Sequence, residues 1–103
     1  MNFTINGTTY KSKIVDFNMI CDLEDMGLSI SDMNKKSTAF MRGYFSLCSG
    51  LSIEQAGAEM QAEMINGGDL TALAEAMTKE ITDSDFFRAI NKTAEKKTTK
   101  NQK

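Results

Sequence analysis

The sequence predicts a mainly α-helical (α+β) domain: an N-terminal β-hairpin packed on a bundle of four to five short helices, followed by a disordered basic C-terminal tail. Three observations carry this expectation. Asn6-Gly7 stands between two short runs rich in strand formers, Phe3-Thr4-Ile5 and Thr8-Thr9-Tyr10, and Asn-Gly is the strongest short-range hairpin signal. From Phe17 to Ile90 apolar residues recur at intervals of three and four, interrupted by glycines and cap-forming residues, as successive amphipathic helices require. Beyond Asn91 the apolar signal stops and lysine takes over, which reads as solvated chain.

The hairpin comes first. A type I′ turn needs positive φ at both central residues, and Asn-Gly supplies them. That register places Ile5 opposite Thr8 and Phe3 opposite Tyr10, on one side, with the aromatic pair as the apolar face. A lone hairpin is marginal in water, so this one must lie on helices. Asp16 is an N-cap for a helix carrying Phe17, Ile20, Leu23 and Met26, which Gly27 closes. Residues 28–36 form a polar connection anchored by Leu28, Ile30 and Met33, with room for one helical turn.

Ser37 opens the second main helix. Phe40, Met41, Tyr44, Phe45, Leu47 and Cys48 give it an apolar face wider than one stripe, so it is the expected central helix, ending near Gly50. Gly43 inside it costs about 1 kcal/mol relative to alanine, and a close crossing is one reason to keep it. Ser52-Ile53-Glu54-Gln55 is a capping-box pattern. Ile53, Ala56, Gly57, Met60 and Met64 follow on one face, until Asn66-Gly67-Gly68 ends the helix. Asp69 is the expected cap of the next, where Leu70, Leu73, Ala74, Met77 and Ile81 make the cleanest amphipathic pattern in the chain. Thr82-Asp83-Ser84-Asp85 offers a further cap before a short helix with Phe86, Phe87 and Ile90.

Its 103 residues fit one domain, 1–91, with 92–103 as a flexible lysine-rich tail. The tail holds five lysines and one acid, a balance of +4. The preceding ninety-one residues hold seven basic and thirteen acidic side chains, a balance of −6. An acidic body repels a phosphate backbone, so no specific nucleic acid is expected. No apolar run approaches the ~18 residues of a membrane span, and no signal peptide is read. Cys21 and Cys48 are expected to be reduced, mostly buried thiols rather than a disulfide.

No constellation for catalysis emerges. Histidine is absent, which removes the commonest general base and zinc ligand. The two cysteines do not make a metal site, and the carboxylates at Asp22, Glu24 and Asp25, and at Asp83 and Asp85, lack the spacing of a calcium loop. No enzyme, cofactor or metal is therefore expected. The candidate residues are for partner binding instead. Met60, Met64 and Met77 lie on apolar helix faces, where methionine either fills gaps in a small core or forms a yielding groove for partner segments. Phe86 and Phe87 point about 100° apart on a helix. Either both rings close the core, or one is exposed or docked on another subunit.

The "FTINGTTY" hairpin, then "FNMICDLEDMG", a helical middle and "SDFF" before a lysine-rich tail together resemble the tail assembly chaperones of long-tailed, non-contractile bacteriophages, best in the versions from phages and prophages of Gram-positive bacteria. The resemblance covers most of residues 1–90, in the order and spacing of short motifs. It implies a non-enzymatic chaperone, made in the host cytoplasm and absent from the mature virion. Such a chaperone coats the tape-measure protein, keeps it soluble and recruits tail-tube protein, and self-association is open. Family members are often made in two forms by ribosomal frameshifting, with which the adjacent Lys96-Lys97 is compatible. The alternatives are a small structural virion component, such as a head–tail connector, and a nucleic-acid-binding phage regulator using the basic tail.

Overall fold

The computed structural model of the chain describes residues 1–90, so the tail expected at 92–103 lies outside the described residues. Two antiparallel strands, β1 (Asn2–Ile5) and β2 (Thr8–Lys11), are followed by α1 (Phe17–Asp25), α2 (Asp32–Lys35), α3 (Ser37–Ser49), α4 (Ile53–Ile65) and α5 (Thr71–Thr82). A sixth helix, α6, covers 85–90 within the described residues. The fold is thus mainly helical with an N-terminal hairpin. It has one more helix than expected if the single turn of α2 is counted.

The hairpin has the expected register, Phe3 with Tyr10 and Ile5 with Thr8. Asn6 and Gly7 take φ of 51° and 83°, the left-handed values a type I′ turn demands. β1 lies against α4 and α5, and β2 against α3. Phe3 stacks on Tyr10 at 5.9 Å, and both meet the edge or face of Phe45 on α3, at 5.9 and 5.0 Å. Strand side chains alternate in direction. Phe3 and Ile5 are therefore buried, whereas their neighbours Asn2 and Thr4 are exposed. At the turn, the Asn6 backbone N–H donates to Glu63 Oε1 (3.2 Å) and its side-chain amide to Glu59 Oε2 (2.8 Å). These bonds clip the hairpin tip to α4.

α3 is the central helix. Phe40, Tyr44 and Phe45 are fully buried, each contributing roughly 1.5–3 kcal/mol by leaving water. α1 crosses it at Gly43, where an added Cβ would stand 2.7 Å from Leu28 Cδ1 and 3.1 Å from Leu23 Cδ2. The close crossing is the reason this helix tolerates a glycine. Leu47 and Cys48 are only half-buried, so the apolar face of α3 narrows toward its end.

Local signals resolve most boundaries. Asp16 accepts a bond from the Met19 N–H (2.9 Å) as the N-cap of α1, and α1 stops at Asp25, two residues before Gly27. Ser52 and Gln55 form the reciprocal capping box of α4. Two caps differ from expectation. Asp69 does accept from the Thr71 N–H (3.0 Å), yet Leu70 occupies the N-cap position and α5 begins at Thr71. A carboxylate one residue early makes a local turn bond rather than a cap. Within the Thr82-Asp83-Ser84-Asp85 segment expected to offer a cap, Ser84 directly precedes α6 and its carbonyl accepts the Arg88 N–H, but its hydroxyl is buried and bonded to nothing, so it makes no side-chain cap.

Candidate functional site

The segment leaving the hairpin is held by a buried phenol. The Tyr44 hydroxyl donates to the Lys13 carbonyl (2.8 Å) and accepts from the Lys13 N–H (3.1 Å), so both backbone groups of an exposed residue are pinned to α3. Ser12, buried beside it, lies 2.6 Å from Glu80 Oε2 on α5. Burial, then the neighbouring Cys48, pushes the Tyr44 phenol well above its usual range. Burial likewise raises the Cys48 thiol, which leaves it protonated and poorly nucleophilic at neutral pH. Cys21 and Cys48 are both free and half-buried, less enclosed than expected. Among the described residues no group of three or more His, Cys, Asp or Glu is placed to hold a metal ion. Nor is any helix among them long and apolar enough to cross a membrane.

What the surface does offer is a groove of about 450 Å³ between α3 and α4. From α3 come Thr38, Ala39 and Arg42. From α4 come Gly57, Met60, Gln61 and Met64, and Leu70 closes one end. Positions 57, 60, 61 and 64 are spaced i, i+3, i+4 and i+7, so they line two turns of one helix face. Met60 is 4% exposed and forms the floor, while Met64 is 50% exposed and forms the rim. Gly57 lets α3 come close here: an added Cβ would meet Arg42 Cδ at 3.2 Å. The arginine stem thus covers apolar surface with its guanidinium free to reach solvent.

The five sequence candidates therefore divide. Met60 and Met64 meet in the groove. Met77 is half-buried against the core on α5 and does not line that groove. Phe87 turns into the core, 8% exposed. Phe86 is half-buried, with its ring edge-to-face to Phe87 and to Phe17, each at 5.5 Å. Of the two readings of this pair, one ring closes the core and the other sits at the surface beneath Phe17, which is 60% exposed. Arg42, Gly57 and Leu70 were not singled out as site residues from the sequence. Their signal was weak: an arginine three residues after Ala39, and a glycine on the face opposite it.

Comparison of the chain with protein-family models, with curated proteins and with solved structures finds no match.

Proposed function

We propose that this protein is a non-enzymatic tail assembly chaperone of a long-tailed, non-contractile phage or prophage. In this reading it acts in the host cytoplasm, binds the tape-measure protein, keeps it soluble, recruits tail-tube subunits and leaves before the virion is complete. Two things support the reading. One is the ordered resemblance of the hairpin, the glycine-closed first helix and the "SDFF" segment. The other, which carries the binding role, is the open groove with Met60 as floor and Met64 as rim. A chaperone must hold apolar segments of varied shape and then release them. Methionine adapts its contour at low cost, and an adaptable, methionine-lined surface suits exchange of partners.

The test is co-expression with the very long, coiled-coil-rich tape-measure protein that this reading expects to be encoded beside it. The expected result is that the long protein moves from the insoluble to the soluble fraction and co-purifies with this chain. If it stays as insoluble as when expressed alone, the proposal fails. Recovery of this chain from purified particles would instead assign it to the structural components of the virion.

A further inference from the structure

We infer that the α3–α4 groove receives an acidic amphipathic helix, with its apolar stripe on Met60 and Met64 and its carboxylates beside Arg42. The inference rests on the reading of this groove as the partner-holding surface and names the chemistry of the segment it holds.

A helical occupant follows from the shape of the lining. Two packed helices have their backbone hydrogen bonds satisfied internally. The groove therefore offers no unpaired strand edge for an extended peptide to extend. Instead, the ridge at 57, 60, 61 and 64 repeats at the spacing by which one helix packs into the furrow of another. Such a partner presents apolar side chains at i, i+3 or i+4, and i+7.

An acidic occupant follows from the charges. Among the residues lining the groove there is one cation, Arg42, and no carboxylate, in a body whose first ninety-one residues carry a net charge of −6. Among the described residues the ion pairs are Lys79–Asp83 and Arg88–Asp85, so Arg42 has no salt-bridge partner among them. α3 also begins beside the groove without a side-chain cap, and an uncapped N-terminus adds positive potential. The acids of α4 that stand nearest in sequence, Glu59 and Glu63, are turned to Asn6 in the hairpin. At physiological salt, charges beyond about 8 Å are largely screened, so a segment seated in the groove responds most to the charge that lines it, Arg42.

The probe is a pair of synthetic helical peptides with one leucine stripe and flanks of either glutamate or lysine, titrated into the ¹⁵N-labelled full chain at about 150 mM salt. The glutamate peptide is expected to shift the amide signals of 38–42, 57–64 and 70 in a saturable way, and the lysine peptide to leave them unmoved. Arg42→Glu should weaken the glutamate peptide by about tenfold or more and improve the lysine peptide. Met64→Ala, at an exposed rim position, should weaken the glutamate peptide by several-fold with an unchanged spectrum elsewhere. Absence of groove shifts with the glutamate peptide, or indifference to Arg42→Glu, overturns the inference. The co-expression result is read separately: solubilisation without groove binding removes this inference alone, and groove binding without solubilisation removes the chaperone reading alone.

Discussion

Tyr44→Phe removes one oxygen and tests how the strap between the hairpin and α1 is held. In the native chain that oxygen makes two hydrogen bonds, to the carbonyl and the N–H of Lys13. At about 0.5–1.5 kcal/mol net for each, the loss is about 1–3 kcal/mol. For a domain of this size 1 kcal/mol moves Tm by about 4–8 °C, so a central loss of about 2 kcal/mol lowers Tm by about 8–16 °C. Urea unfolding followed by circular dichroism measures it, with the midpoint moving and the slope unchanged. A second readout separates the phenol from general packing. Burial raises the folded-state pKa of Tyr44 above its unfolded value of 10.0. Above about pH 10 the unfolded chain therefore releases this proton while the native chain keeps it. The unfolded state then binds fewer protons, and stability falls as pH rises. Cys48, also raised by burial from 9.0, adds its own decline in both proteins. The wild type should lose stability more steeply than Tyr44→Phe above pH 10, so the gap between them narrows. A loss below about 0.5 kcal/mol, or parallel alkaline profiles, would refute the assignment of Tyr44 as the clamp on this strap.

Gly43→Ala gains about 1 kcal/mol of helix propensity, but its methyl meets the buried Leu28 and Leu23 side chains at an overpacking cost of about 1–3 kcal/mol. A net loss near 1 kcal/mol in thermal unfolding is expected, and a gain would show that α1 can withdraw freely. Ser84→Ala deletes a buried hydroxyl that bonds to nothing, so stability should hold or rise by about 1 kcal/mol. Ser52→Ala, by contrast, breaks a reciprocal capping box and should cost about 0.5–2 kcal/mol; equal effects at the two serines would contradict the difference in their bonding. Gly7→Ala places a Cβ at φ +83° and should lose about 1–2 kcal/mol, read as a lower Tm.

Much of the fold was legible because its signals are local. Asn6-Gly7 sets the turn, and with it the partner of every strand residue. Asp16 and Ser52 satisfy free helical N–H groups within three residues of themselves, so sequence spacing alone identifies them. The failures were also local in cause. Asp69 and Ser84 have the right side chains near helix starts, but an offset of one residue or a hydroxyl facing a buried space leaves the cap unmade.

The candidate site was legible only in part. Met60 and Met64 share a helix face by spacing, and periodicity found both. Nothing in that spacing says that one is buried and the other half exposed. The difference depends on α3, which covers the earlier turns of α4 and leaves its last turn open. Arg42 belongs to the groove because Gly57 on another helix lets its stem lie down there, a contact between residues fifteen apart in sequence. Phe86 and Phe87 were bound to point in different directions; which one enters the core was decided by the position of Phe17 and of the helices beneath. The sequence by itself determined the elements, the hairpin register and most helix ends, because turn dihedrals, caps and helical period act within a few residues. Tertiary structure alone decided which apolar faces were covered, since burial is a property of what packs opposite, and the groove is the face left without a neighbour.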